Sequence, residues 1–264
     1  MKEFFFSPDW LNRSGPWAYT LEHFLFIFIV IGLGLLAAIL LRRCSKKTVH
    51  IVLISIWAFL IVLEIFKCTV VYTRVAMEPE EYPFDIETML SLHCCSMYFY
   101  VAPIAMFSKR ETLRKMAFSF LVCVNMIMGF ITLFVGFAGK EASVFSFFGL
   151  HFLIFHALIA IGPLIMLVTN YYDIKKEDIK YGLLMFGILA VIIYIFDWIA
   201  KCDYFFIFDG HTFGVFAFIY ENVPHIVWTL IIISCYIITA IATHYLVLGI
   251  KYLVNKKIKK EQIK

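Results

Sequence analysis

The sequence predicts an all-α polytopic membrane protein, a bundle of seven transmembrane helices. Of its 264 residues, 62% are hydrophobic and 16% are charged, whereas soluble domains are about 45–50% apolar and about 25% charged. Seven stretches of about 20 apolar residues follow one another, and this is the length that a helix needs to cross ~30 Å of hydrocarbon. Because the connections between them are short, residues 1–264 are expected to form one integral membrane domain.

Each predicted span is a run of mostly Leu, Ile, Val and Phe that ends at polar or basic residues. No internal repeat, low-complexity tract or flexible linker interrupts the series. The predicted spans cover residues 23–41, 49–66, 88–107, 116–138, 144–169, 181–200 and 223–248.

The basic residues predict the orientation of the bundle. Lys and Arg are retained on the cytoplasmic side near helix ends, and 17 of the 23 Lys and Arg residues follow the first, third, fifth and seventh spans. The N-terminus is therefore expected outside and the C-terminus in the cytoplasm. The net charge of +4 is explained by these loops, and without an interleaved basic and aromatic motif no nucleic-acid partner is expected.

The cysteines are scattered along the spans and form no CxxC pair, so neither a disulfide framework nor a thiolate zinc site is expected. Two of them, Cys68 and Cys202, lie near the predicted outer face and could pair there. The others are Cys44, Cys94, Cys95, Cys123 and Cys235.

Ionisable side chains inside a membrane are costly and therefore indicate where function lies. Glu64 and Lys67 share one face of the second span, and Asp197 and Lys201 share one face of the sixth. Interfacial ion pairs that reach water would explain either pair alone. Further polar positions at similar depth suggest a cavity under the outer leaflet; they are His93 and Cys95 in the third span, His151 and His156 in the fifth, and His225 at the start of the seventh.

His156 is placed near mid-membrane, with about a dozen apolar residues on its C-terminal side. A buried imidazole needs a partner, and a cysteine beside an imidazole can become a nucleophile. On a regular helix, residues two apart are turned by about 200°, so His93 and Cys95 should face nearly opposite ways. The base for Cys95 is therefore expected from another helix, with His156 as the candidate and His93 facing a different neighbour.

Two segments, "LSLHCCS" at 90–96 and "FFGLHFLIFHALIAIGPL" at 147–164, resemble motifs of the YwaF-type integral membrane family, whose third span is "LPLHLCS"-like and fifth span "FFxxHG"-like. The family's HxC motif falls on His93 and Cys95, and its later histidine falls on His156. The resemblance covers most of the chain. It also includes His23, Glu64 with Lys67, and an "NY"-like element at Asp203 and Tyr204.

The sequence departs from the family pattern at four positions, with Ser91 where Pro is usual, Cys94 where Leu is usual, Ala157 where Gly is common and Asp203 where Asn is common. The eukaryotic branch of the family is a transmembrane acyltransferase thought to carry fatty acyl chains on a cysteine. The family's bacterial distribution, together with short basic loops and abundant Lys, Ile and Phe, favours a bacterial plasma membrane.

The leading hypothesis from the sequence is a lipid acyltransferase or acyl hydrolase. In this hypothesis Cys95 is the nucleophile, His156 is the general base and His93 is a second base or an oxyanion donor. Membrane lipids are the expected substrate, and no cofactor and no metal are expected. The predicted substrate-binding residues are Glu64, Lys67, His151, Asp197, Lys201, Asp203, Tyr204 and His225.

Two other classes remain open at this point. An intramembrane zinc hydrolase would draw its ligands from His93, His151, His156, Asp197 and His225. Zinc hydrolases of this size resemble one another in an HxxxH pair on the last span, which this chain lacks. A transporter or ligand-binding protein without catalysis is the other class, although inverted repeats are not evident.

Overall fold

The computed structural model describes residues 19–80, 83–135, 145–208 and 214–262. Every regular element among them is helical, and seven helices are long and apolar enough to span a membrane, which confirms the predicted fold class. The spans are Leu21–Leu41, Lys46–Met77, Ile86–Phe107, Glu111–Val135, Phe147–Val168, Lys176–Ala200 and His225–Leu253. A short helix at Gly214–Asn222 precedes the last of these, whose helix continues to Gln262.

The predicted boundaries agree with the helices to within a few residues at most ends. The predicted end of the fourth span, residues 136–138, and the predicted start of the fifth, residue 144, lie outside the described residues. We call the end of the bundle where the first, third, fifth and seventh spans begin the predicted outer end, and the opposite end the predicted cytoplasmic end. The placement of these ends relative to the membrane stays a prediction.

Helix starts follow local side-chain chemistry. Ser45 and Ser146 precede the second and fifth spans, and each hydroxyl accepts a hydrogen bond from the backbone N–H three residues ahead. This N-cap satisfies a donor that the helix itself leaves free. The second span runs to Met77, well beyond the predicted end at residue 66. Its polar residues lower the hydropathy there but do not stop the helix, so Lys67 lies inside it.

The fourth and fifth spans form the centre of the bundle. In each, 61% of the apolar window is buried, against 17–28% for the first, second, sixth and seventh. The fourth span packs against the third, fifth and sixth, and the fifth packs against the first and second as well. Gly129 permits the close approach of the two central spans, because a Cβ there would lie 3.1 Å from the Cβ of Ala160.

The third span is not the uninterrupted helix that the sequence predicts. A short helix at Ile86–Met89 is followed by extended backbone, a 3₁₀ turn at Cys94–Met97 and an α-helix at Tyr98–Phe107. His93 has extended backbone dihedrals, φ −58° and ψ 152°. The separation of about 200° expected for a regular helix therefore does not apply to His93 and Cys95, although the two side chains still face different neighbours.

The fourth span contains a π-helical turn at Leu121–Asn125, in the middle of its length. Its last residue, Asn125, is fully buried. Single π turns inside α-helices often occur at functional sites. The broken third span and this π turn are in contact, and the two irregular segments define the site described next.

Candidate active site

Cys95 and His156 meet at the centre of the bundle. The Cys95 Sγ lies 3.5 Å from the His156 Nε2, and the His156 Nδ1 lies 2.7 Å from the carbonyl oxygen of Phe152. Because a carbonyl only accepts, the Nδ1 carries the hydrogen and the Nε2 of the neutral ring accepts from the thiol. Cys95 is half-buried and His156 is 9% exposed. The structure thus brings together the predicted nucleophile and base, whose catalytic roles stay a prediction.

Asn125 holds the backbone beside this pair. Its amide nitrogen donates to the carbonyl oxygen of Cys95 at 2.5 Å and points toward that of Cys94 at 3.4 Å. Within the described residues its Oδ1 is buried and accepts no hydrogen bond. Sequence analysis missed Asn125. The available signal was an amide side chain at mid-membrane in the apolar run "LVCVNMIM".

A second polar cluster joins the second, third and fifth spans around Glu64. Its carboxylate lies 2.5 Å from the Lys67 ammonium and accepts from the Ser91 hydroxyl at 2.6 Å. The His151 Nε2 is 3.3 Å from the other carboxylate oxygen. That approach is not aligned as a hydrogen bond, and within the described residues both atoms lack another partner. Glu64 and Lys67 are 7% and 8% exposed, so the interpretation as an interfacial pair that reaches water is wrong.

Ser91 belongs to this cluster although sequence analysis noted it only as a departure from the usual proline. Its hydroxyl donates to Glu64 and lies 3.4 Å from the Lys67 ammonium. Its place in the extended segment before the 3₁₀ turn directs it toward the second span. The departure therefore adds a hydrogen-bond donor where a proline would supply none.

His93 faces the loop that follows the sixth span. Its Nδ1 donates to the carbonyl oxygen of Tyr204 at 2.8 Å, and its ring stacks on Phe206 with a centroid distance of 5.6 Å. The Nε2 of the neutral ring is consequently an acceptor. Donation to an oxyanion from that nitrogen would require the protonated imidazolium.

Two of the acidic residues predicted to bind substrate, Asp197 and Asp203, hold the loop at residues 201–208. The buried Asp197 carboxylate accepts from the Tyr204 backbone N–H at 3.1 Å and from the Cys202 thiol at 3.3 Å. Burial and the nearby Asp197 raise the pKa of the Cys202 thiol to about 12, which keeps this donor protonated. The Asp203 carboxylate accepts from the backbone N–H groups of Ile207 and Phe208.

Two further predicted binding residues lie at the surface. Lys201 ends the sixth span with a left-handed backbone, φ 59°, and its ammonium lies 5.6 Å from the centroid of the Trp198 ring. No ion pair joins it to Asp197, both residues being described. His225 is exposed and stacks on Phe208 with a centroid distance of 5.7 Å.

The remaining thiols are free, including the two for which sequence analysis raised a disulfide. The Cys68 thiol donates to the carbonyl oxygen of Met89 at 3.1 Å, and Cys202 is bound to Asp197. Each sulfur therefore has a hydrogen-bond acceptor of its own.

A second cysteine–histidine contact lies toward the predicted cytoplasmic end. The Cys123 Sγ is 3.3 Å from the His244 Nδ1, and the His244 Nε2 is 3.2 Å from the carbonyl oxygen of Lys176. Both side chains are completely buried. Cys95 differs from Cys123 in its accessibility rather than in its distance from an imidazole.

The five residues considered as zinc ligands do not converge on one point, because each contacts other groups of the protein. Among residues 19–80, 83–135, 145–208 and 214–262, no group of three or more His, Cys, Asp or Glu side chains is arranged to hold a metal ion. His156 contacts Cys95, His151 contacts Glu64, and His93 contacts Tyr204. The donor set of a zinc hydrolase does not assemble in this part of the chain.

The fold and the site define a seven-span integral membrane protein with a partly accessible cysteine–histidine pair at the centre of the bundle. The chain belongs to the TMEM164 family, whose model matches residues 18–248. No curated protein and no solved structure matches the chain.

Proposed function

We propose that this protein is a lipid-modifying enzyme that transfers or hydrolyses acyl chains, with Cys95 as the nucleophile and His156 as the general base. The observation that carries the proposal is the half-buried Cys95 thiol, 3.5 Å from an imidazole nitrogen that is available to accept its proton. The Phe152 carbonyl fixes the tautomer that this role requires. The residues that resemble the YwaF-type HxC motif are the same ones, which supports acyl chemistry on this cysteine.

In the first half-reaction, the Cys95 Sγ attacks the ester carbonyl carbon of a lipid while its proton passes to the His156 Nε2. The bond from that carbon to the lipid oxygen then breaks, and His156 returns the proton to the leaving oxygen. The products are a thioester on Cys95 and a lipid alcohol. Cys95 lies in the 3₁₀ turn at Cys94–Met97, which leads into the helix Tyr98–Phe107, and a helix dipole stabilises an anion near the N-terminal end.

In the second half-reaction, the acceptor hydroxyl gives its proton to His156 as its oxygen attacks the thioester carbon. The carbon–sulfur bond breaks, and His156 reprotonates the sulfur of Cys95. A lipid hydroxyl as acceptor completes acyl transfer, and water as acceptor completes hydrolysis. No oxidant, metal or cofactor is needed for either half.

The polar cluster around Glu64 supplies the polar part of the proposed substrate site. The Lys67 ammonium is mostly neutralised by Glu64, while the His151 Nε2 and one Glu64 oxygen are buried without a hydrogen bond. The Glu64 oxygen can only accept, so such atoms favour a ligand that carries hydroxyl groups. Acyl chains would lie against the apolar surface of the bundle, so membrane lipids are the proposed substrate.

The proposal includes a location. Seven apolar helices and the TMEM164 family support an integral membrane protein. The distribution of Lys and Arg supports an N-terminus outside and a C-terminus in the cytoplasm, with the site nearer the outer leaflet. A multi-pass protein of a bacterial plasma membrane is the proposed setting.

Labelling with a lipid-like electrophile, an acyl chain that carries a chloroacetamide, tests the assignment on the full-length protein in mild detergent. The parent and the Cys123→Ser variant are expected to label equally, and the Cys95→Ser variant is expected to lose the label. Equal labelling of Cys95→Ser, or loss of labelling in Cys123→Ser, would reject Cys95 as the nucleophile. Retention of lipid without any covalent label on the parent would favour a ligand-binding protein without catalysis.

A further inference from the structure

A cavity of about 180 Å³ opens at the predicted cytoplasmic end, far along the fifth span from His156. It lies between the ends of the first and fifth spans, the loop after the fifth and the last turns of the seventh. Leu167, Val247 and Ile250 line its apolar side, and Arg42, Asn170 and Lys251 line its polar side. A buried water needs about 10–15 Å³ of such space, so the cavity has room for a phosphoryl headgroup.

The polar side of the cavity carries positive charge that the protein only partly neutralises. The Lys251 ammonium binds the Asp173 carboxylate and the carbonyl oxygen of Ile174. Arg42 is exposed, and no hydrogen bond or ion pair joins its guanidinium to another residue in the described part of the chain. One guanidinium therefore remains for a ligand, and this group binds phosphate oxygens through paired N–H donors.

The carbonyl groups at the C-terminal end of the fifth span repel an anion less strongly than unpaired carbonyl groups at a helix end would. Its last carbonyl groups accept from backbone N–H groups of the following turn, namely Thr169 to Ile165, Asn170 to Leu167 and Tyr171 to Met166. Asn170 makes this turn with a left-handed backbone, φ 51°. The turn also places Asn170, whose side-chain amide is a hydrogen-bond donor, at the cavity.

We infer that this cavity binds the phosphate ester of an anionic membrane phospholipid, with Arg42 as its main ligand and the apolar wall against the start of the acyl chains. A basic pocket between spans at a cytoplasmic helix boundary is suited to such headgroups. The combination of a free guanidinium with an apolar wall favours an amphipathic phosphate over a free one. The inference goes beyond the chemistry proposed for Cys95, and it does not depend on that chemistry.

Native mass spectrometry of the full-length protein in detergent, doped with phosphatidylglycerol or phosphatidylcholine, tests the inference. The parent is expected to retain phosphatidylglycerol preferentially, and Arg42→Gln is expected to lower that retention about fivefold, which corresponds to one lost basic contact at a membrane surface. Arg43→Gln is the matched control, since it removes the same charge next to the cavity without lining it. It is expected to bind like the parent.

Ile250→Trp keeps the charge but fills the cavity from an exposed position, and it is expected to reduce retention as well. The melting temperature of each variant, measured without lipid, tests whether its fold is intact. If Arg42→Gln and Arg43→Gln lower the retention of phosphatidylglycerol equally, the lipid is held by diffuse electrostatic attraction. That outcome would overturn a defined site. Inorganic phosphate and phosphatidylglycerol can also be compared by the rise in melting temperature that each gives the parent. Equal rises would overturn the lipid as the source of the phosphate.

Discussion

Cys123 Sγ lies 3.3 Å from His244 Nδ1, closer than the 3.5 Å that separates Cys95 Sγ from His156 Nε2. Contact with an imidazole is thus common to two cysteines of this chain, and only one of these residues is partly exposed. Cys123 is completely buried, whereas Cys95 is partly exposed, and the proposed reaction requires a substrate to reach the sulfur. Variants of the buried pair, Cys123 and His244, therefore serve as controls for variants of Cys95 and His156.

If Cys95 is acylated with His156 as base, then His156→Ala should slow the formation of the thioester by about 10²- to 10⁴-fold, the usual contribution of general base catalysis. The measurement follows radiolabelled acyl chains from a phospholipid to hydroxylamine-sensitive linkage on the protein. His244→Ala removes the imidazole of the buried pair and should leave the rate near that of the parent. Equal slowing in both variants would point to loss of structure rather than loss of the base.

Asn125→Leu should weaken both the fold and the site. The substitution removes the amide that donates to the Cys95 carbonyl oxygen and leaves this oxygen without that donor, at a cost of about 1–3 kcal/mol. Thermal unfolding in detergent measures the loss, and the labelling rate of Cys95 should fall with it. Asn125→Gln is the comparison variant, because it keeps the amide but lengthens the side chain by one methylene. A stability and labelling rate equal to the parent's in Asn125→Leu would show that the bond has no positioning role.

Gly162→Ala should destabilise the contact between the third and fifth spans. A Cβ at this position would lie 2.4 Å from the hydroxyl oxygen and 2.8 Å from ring carbons of the buried Tyr98, and overpacking of this kind costs about 1–3 kcal/mol. Because these spans carry Cys95 and His156, labelling should also decrease. Gly187→Ala is the control, since nothing lies within 4 Å of its added Cβ. Equal melting temperatures for the two variants would contradict the packing argument.

Glu64→Gln should be strongly destabilising, because it leaves the Lys67 ammonium buried without its counter-charge. Removal of one partner from a buried pair costs about 3–5 kcal/mol, and the joint replacement Glu64→Leu with Lys67→Met should recover much of it. The exposed pair of Glu111 and Lys115, 2.7 Å apart, is the control, and Glu111→Gln should not change the melting temperature measurably. A Glu64→Gln melting temperature equal to the parent's would mean that Lys67 reaches water.

The candidate site was only partly predictable from the sequence. The cost of burying His156 predicted a partner on another helix, and Cys95 lies beside it in the structure. The contact of Asn125 with the backbone of Cys95 and the contact of Ser91 with Glu64 were not predicted. The first depends on a π turn and the second on a broken helix, and neither follows from regular helix geometry. Substrate roles for Asp197 and Asp203 stay a prediction. Their contacts with the backbone of the loop were not predicted, because hydropathy does not describe the course of that loop.

The sequence by itself determined the membrane class and the seven helical spans, since both follow from the local apolar content of successive segments and the thickness of a bilayer. Only the tertiary structure decided which polar side chains meet. Contacts such as Cys95 with His156, sixty-one residues apart, arise from the packing of the central spans and from two irregular turns. Those features depend on the whole bundle, because each polar group inside it must find its partner on another helix or loop.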